Sequence, residues 1–466
     1  KAGDRLVGAY ANQEALYYYG RASDVCGKIG ISALKTSVNL ARKRGLLNAT
    51  IGDFRGAIVD FNRMLTAARS LADRHLEGMA LAYRGWAEHQ NHDFETTEDT
   101  LKAALIIANE GFEDVRFFAS VSLVAFFFAI NRTADAEPFL QAIEKQAPGV
   151  DDPFILGWWS LMGALSAQWQ GRFEDVLKHL EHRRMADRGR GADFLINSWV
   201  EALARGGKGE YERALALLED MIATGERIGE YFWRVRALNT MGWVYGELQD
   251  HQRAMMWNTQ GLEAAQEATA PNAEVESNAR LNLGDNLLAL GRLGEAEEHF
   301  HKVEHIVRNP QSQDQFLLWR YSQHLFHSYG ELWFDRGDFD KAIAYADECL
   351  ALAEQSNTQK NIVKGRRLRG QVFLAQDKLE KARKELSIAL SVAVRVGNPT
   401  QLWKTYAVLG DLLQVRDQLD DAHRAYGDAL SVIEGVAAEL QDKSLRDTFL
   451  SSHYVQEIRQ KAHRKR

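Results

Sequence analysis

Residues 281–300 read Leu-Asn-Leu-Gly-Asp-Asn-Leu-Leu-Ala-Leu-Gly-Arg-Leu-Gly-Glu-Ala-Glu-Glu-His-Phe. Gly284 is followed twelve residues later by Ala296, the polar turn Gly291-Arg292 lies between them, and Phe300 stands four residues past the Ala. A glycine inside a helix is unfavourable unless another backbone must come close, so a helix crossing is expected at Gly284. The small Ala296 then lets the second helix pack closely, and the stretch reads as one helical hairpin. Eight pairs keep this spacing: Gly3/Ala15, Gly45/Ala57, Gly85/Thr97, Gly242/Ala254, Gly284/Ala296, Gly330/Ala342, Gly370/Ala382 and Gly410/Ala422. Three further units turn near Asn131-Arg132, Gly171-Arg172 and Gly209-Glu210, with Val124, Ala164 and Ala202 in place of the glycine. Internal repetition of this kind predicts an all-α solenoid of about eleven helix-turn-helix units.

The order Gly, turn, Ala and then a large residue resembles the tetratricopeptide repeat, whose pattern includes L-G-x2-Y and A-x3-F. Leu283-Gly284 with Ala296 and Phe300, Tyr329-Gly330 with Trp333 and Ala342, and Leu409-Gly410 with Leu413 and Ala422 match it best. The resemblance implies a right-handed superhelix whose first helices line a concave surface. Successive small positions are 38 to 46 residues apart, longer than the basic repeat of about 34 and within the HEAT range of about 40–47. The twelve-residue internal spacing argues for tetratricopeptide units with lengthened helices. Such long units resemble the sensor region of maltose-type LuxR activators and the C-terminal region of large bacterial signalling ATPases, including cyclase-fused ones.

Both ends of the chain bear on this. Other units have seven or more helical residues before the glycine, so Gly3 implies a first repeat truncated at its N-terminus. Lys1 to Arg5 with Ala11 to Ala15 resembles the entry to the repeats of the ATPase-cyclase proteins. Asp442, Leu445, Arg446, Phe449 and Leu450 resemble their closing segment. Ser444 with Asp447 reads as a capping box opening a last helix. The expected division is a solenoid over residues 1–436 and a capping helix with a basic tail over residues 437–466. That tail includes Arg464, Lys465 and Arg466.

Composition narrows the function classes. The 57 Lys and Arg against 64 Asp and Glu give a net charge of −7, which leaves no general footprint for nucleic acid. Cys26 and Cys349 are too few for a disulfide framework or a Cys-based zinc site. The most apolar run, Phe117 to Ile130, has 14 residues, short of the roughly 18 expected of a membrane span. A cytoplasmic protein without membrane or nucleic-acid partners is the expectation.

No catalytic motif emerges, and no cofactor is implied. Gly206-Gly207-Lys208-Gly209 lacks the spacing and the Ser or Thr of a phosphate loop and falls where a hairpin must turn. Gly189-Arg190-Gly191 lacks the third glycine of a dinucleotide fingerprint. Glu297, His301 and His305 lie on a second helix, and His324, His327, Glu331 and Asp335 on a first helix; either set could approach a metal, the second better than the first, but without HExxH order a solvated polar face is the favoured reading of both.

With each glycine as a mark, positions six and three before it and one, four and five after it should face the groove. They give as binding candidates Arg42; Trp86, His89 and Gln90; Arg236, Asn239, Trp243 and Glu247; Asp285; His324, His327 and Glu331; Lys364, Arg367 and Gln371; and Lys404 and Asp411. Met79, Asn278, Asp335 and Gln414 fall on the same ruler. The basic cluster from Lys360 to Lys384 reads mainly as paired on helix surfaces, with Lys364 and Arg367 turned inward. Such a lining suits a protein or peptide partner, including domains upstream of this chain. The expected function is therefore a non-catalytic interaction and sensing scaffold, the C-terminal regulatory region of a larger bacterial signalling protein with an ATPase and a cyclase, kinase or DNA-binding output. A small polar ligand, a sugar or nucleotide stacked on Trp86 and Trp243, is the alternative; metal-dependent hydrolysis at His324, His327 and Glu331 is the remote one.

Overall fold

The computed structural model describes residues 1–8, 11–146, 152–186, 192–228, 230–267 and 272–463. They form eleven consecutive helical hairpins and two closing helices. The first four hairpins are α1 Ala2–Gly8 with α2 Asn12–Ile29, α3 Leu34–Thr50 with α4 Phe54–Ser70, α5 Arg74–Gln90 with α6 Phe94–Ala108, and α7 Glu113–Ala129 with α8 Thr133–Gln146. The next four are α9 Pro153–Trp169 with α10 Phe173–Ala186, α11 Ala192–Lys208 with α12 Tyr211–Ile228, α13 Phe232–Glu247 with α14 His251–Glu267, and α15 Ala273–Ala289 with α16 Leu293–Arg308. After them come α17 Leu318–Asp335 with α18 Phe339–Gln355, α19 Gln359–Ala375 with α20 Leu379–Val396, and α21 Pro399–Val415 with α22 Leu419–Glu439; α23 Lys443–Ser451 and α24 His453–His463 close the chain. The architecture is the all-α solenoid that the repeat spacing predicts.

From the second hairpin onward, each turns by the same device. Seven residues after the glycine mark, or its Val or Ala replacement, φ is positive at Gly52, His92, Asn131, Gly171, Gly209, Gln249, Gly291, Gly337, Asp377 and Asp417. The next N–H then closes back onto the helix it leaves, as from Arg292 to the Leu287 carbonyl and from Gln418 to the Leu413 carbonyl, both 2.9 Å. This left-handed closure satisfies carbonyls that the helix end would leave unpaired.

The reason for the glycines differs from the expected backbone crossing. A Cβ at Gly45, Gly284 or Gly410 would stand 2.5, 2.2 or 2.5 Å from Cε1 of Phe61, Phe300 or Tyr426. The glycine makes room for the large side chain four residues beyond the small position, and Ala57 and Ala296 are fully buried. The run Phe117 to Ile130 lies on α7 and its C-cap, with Phe117, Phe118, Leu123 and Val124 fully buried. Among the described residues no helix is long and apolar enough to cross a membrane. Cys349 is fully buried as a small packing residue.

Stacking does not leave an open arc. The Trp319 indole N–H donates to the Phe128 carbonyl at 2.9 Å, and Asn398 Nδ2 donates to the Gly207 carbonyl at 2.8 Å. Tyr211 meets Thr400 at 3.1 Å and Arg253 meets Ser444 at 3.1 Å. These four contacts join residues 189 to 191 positions apart, so the superhelix returns onto itself after about five hairpins. The last helix start is also corrected. Asp442, rather than Ser444, caps α23 by accepting from the N–H groups of Ser444 and Leu445. The segment Gly189-Arg190-Gly191 and the residues Arg464, Lys465 and Arg466 lie outside the described residues.

Candidate functional site: a polar channel

Because successive turns touch, the inner face is a channel. A cavity of about 780 Å³ runs between α9, α11, α13, α15, α17, α19 and α21, and residues Ser452 to Tyr454 at the start of α24 complete its wall. The structure brings together at this cavity Arg236, Asn239, Trp243, Glu247, Asp285, His324, His327, Glu331, Lys364, Arg367, Gln371 and Lys404, with Asn278 and Asp335 beside them.

One end is a closed electrostatic cluster. Glu274 pairs with Arg236 and Arg320, each at 2.6 Å. The Arg236 guanidinium lies 4.5 Å from the Phe232 ring centre, 4.7 Å from Trp199 and 5.2 Å from Trp233. Burial lowers its pKa to about 10 against the opposing effect of Glu274. Arg236 therefore acts as a fixed part of the wall, since its charge and its faces are both engaged.

The middle is hydrogen-bonded within itself. Trp243 donates to Glu247 at 2.9 Å, and Lys360 sits 4.7 Å over the same indole while reaching Glu247 at 3.5 Å. A Cβ at Gly206 would stand 2.7 Å from the Trp243 ring, so α11 packs closely against that ring as well. Burial opposes ionisation of Glu247, but Lys360, the Thr400 hydroxyl, Lys404 and Lys364 outweigh it and hold its pKa low. Asp285 accepts from His324 at 2.6 Å and from Ser328 at 2.5 Å; burial again opposes its charge, and His324, Lys364 and Ser328 overcome it. Asn239 donates to the Val275 carbonyl at 3.0 Å.

The far wall, from α17, α19 and α21, is different. Arg367 is 3% exposed, and its guanidinium donates to the neutral groups of Gln401 and Thr405 at 2.8 and 3.5 Å. Among the described residues neither Lys364, Lys404 nor Arg367 has a carboxylate within 4.0 Å. Burial lowers the pKa of Lys404, and Glu331 opposes that from beyond ion-pair distance. His327 is 3% exposed, and neither of its ring nitrogens has a hydrogen-bond partner. Burial and the positive charges of Lys364, Arg367, His324 and Lys404 hold it well below the ordinary imidazole range. It is neutral, so its 3.4 Å approach to Glu331 is no ion pair. Burial, then Glu331, raises Asp335 to about 6.

Five candidates lie elsewhere. Trp86 is 4% exposed and packs against Phe54, Phe118 and Trp158 in the core. His89 is buried against Phe94, Phe126 and Phe316, and burial pushes it down to about 3. Its neighbour Gln90 is partly buried at the end of α5. Arg42 meets Asp152 at 3.4 Å and lies over the Tyr83 ring. Asp411 accepts from Tyr426 and Lys461 at 2.7 and 2.8 Å, tying α22 to α24. The two histidine sets do not converge: His324 is engaged by Asp285, Glu297 pairs with Arg336 at 2.7 Å, and among the described residues no group of three His, Cys, Asp or Glu could hold a metal ion. In the basic cluster, Arg366 and Arg369 both pair with Glu385.

Several wall residues escaped the ruler. Glu274, Arg320, Lys360 and Thr400 stand ten positions before their glycine marks, one turn above the position at minus six. Extending the same face by that turn finds all four. Trp169 and Tyr454 carry no local signal, because superhelix closure and the capping segment bring them in.

This fold has solved counterparts. A Rap protein complexed with competence and sporulation factor superposes with a TM-score of 0.60 at 13% identity, covering 78% of this chain and 100% of that one. The Cut9–Hcn1 hetero-tetramer of the APC/C gives 0.50 at 14% identity, covering 99% and 95%. No protein-family model matches the chain, and no curated protein does. The chain is thus similar in fold to tetratricopeptide-like solenoids.

Proposed function

We propose that this chain is a non-catalytic sensing module that holds a short polar segment of a peptide or protein partner inside its channel. The supporting observation is the cavity of about 780 Å³ walled by helices from seven hairpins. That volume lies within the usual range of about 300–1,000 Å³ for ligand sites and is too small for a folded domain. An occupant would touch helices spread over most of the array, so its arrival would bias the relation of one hairpin to the next. The Rap counterpart is complexed with competence and sporulation factor, which agrees with the reading without carrying it. Saccharide stacking is disfavoured because Trp86 is in the core and Lys360 already lies over the Trp243 ring. The wider setting belongs to the same proposal: a cytoplasmic regulatory region of a larger bacterial signalling protein with an ATPase and a cyclase, kinase or DNA-binding output, supported by the long repeats and the resemblance of both ends.

Peptides selected by display against the chain, followed by hydrogen exchange of each complex, test the proposal. Protection should fall on α13, α15, α17 and α19. Protection confined to the outer helices α14, α16 and α18 would remove the channel from the reading.

A further inference from the structure

The far wall of the channel holds more positive charge than the protein neutralises. Arg367 is buried with only neutral hydrogen-bond partners, and the half-buried Lys364 and Lys404 have no carboxylate within 4.0 Å among the described residues. A buried cation without a counter-charge is strongly unfavourable; Glu247 and Asp285 also act on these cations but are engaged by Lys360 and His324, and Glu331 alone does not balance three. His327 points the same way: it is buried, it lines the cavity, and among the described residues neither ring nitrogen has a hydrogen-bond partner. A neutral imidazole retains one N–H to donate. Three cations and that donor are what an oxyanion requires.

We infer that Lys364, Arg367, Lys404 and His327 form an anion subsite that receives a carboxylate or phosphoryl group of the channel's ligand. This rests on the channel reading above and adds the charge class of what enters it. Arg367 and the two lysines neutralise the group, and His327 donates to it. At the other end Arg236 and Arg320 already share the carboxylate of Glu274.

Calorimetric titration of the full chain with glutarate and with inorganic phosphate tests the subsite. At least one should bind, and K364Q/K404Q should weaken it by about 30-fold or more, as expected when one side of a desolvated charge pair is removed. K364R/K404R should retain binding, and the remote K302Q on α16 should leave it unchanged. Tighter glutarate assigns a carboxylate, and tighter phosphate a phosphoryl group. Single K364Q and K404Q variants serve if the double variant loses helical circular dichroism. Absence of binding by both anions, or equal binding by the lysine variants, overturns the subsite. The two readings fail separately. Display-selected peptides that bind K364Q/K404Q undiminished would refute the subsite and keep the channel reading, whereas anions lost in that variant with no peptide bound would do the reverse.

Discussion

Gly284 and Gly337 both resist a side chain, for different reasons. A Cβ at Gly284 would lie 2.2 Å from Phe300, while one at Gly337 meets nothing within 4 Å but sits on a backbone with φ of 76°. Gly284→Ala should therefore cost about 1–3 kcal/mol by overpacking, and Phe300→Leu in the same chain should recover part of it. Gly337→Ala should cost about 1–2 kcal/mol through left-handed strain, with no recovery from Phe300→Leu. Urea midpoints of these variants check both, and equal recovery in the two backgrounds would sink the packing account. The spacing made these positions legible in the sequence. Why Gly284 is glycine was not, since a linear interval does not say whether a backbone or a ring fills the gap. Trp86 shows the same limit: it shares a ruler position with Trp243, but Phe54, Phe118 and Trp158 enclose it.

At the scale of elements, helix starts join local capping to long-range contact. Asn398 is fully buried; its Oδ1 accepts from the Gln401 N–H at 3.0 Å to cap α21, and its Nδ2 reaches Gly207 on α11. Asn398→Ala should cost about 2 kcal/mol, from loss of a cap and of a buried hydrogen bond, and should speed hydrogen exchange at the start of α21. Exchange confined to α11 would contradict the capping half of that account. Glu230 accepts from the Trp233 N–H at 2.8 Å before α13, and burial raises it to about 7. Its unfolded pKa is about 4.3, so between those values the native chain holds more protons and stability falls as pH rises. Glu230→Gln should flatten the pH dependence of the urea midpoint between about pH 5 and 7; an unchanged slope would exclude Glu230 as its source. The hairpins themselves were legible because each repeats its own turn chemistry. The wall positions at minus ten needed only a longer ruler.

The whole molecule adds what no repeat contains. A solenoid whose units touch only their neighbours gains stability from neighbouring interfaces alone, but here Trp319 reaches Phe128 and Asn398 reaches Gly207 across one superhelical turn. Small rotations from unit to unit set where those residues meet, and no local pattern encodes their sum, so the sequence suggests a groove where the structure has a channel. Closure is what encloses Lys364, Arg367, Lys404 and His327 and makes their charge imbalance consequential. Trp319→Ala with Asn398→Ala should loosen the turns without removing a hairpin. Small-angle scattering should then show a larger radius of gyration while helical circular dichroism stays near that of the parent. Gly337→Ala, destabilising through one turn only, should leave the radius unchanged. If both variants expand alike, general destabilisation explains the effect. If only the Trp319 and Asn398 pair expands the molecule, contacts between turns hold the channel shut, and the same variant should lose affinity for anions although Lys364, Arg367 and Lys404 remain in place.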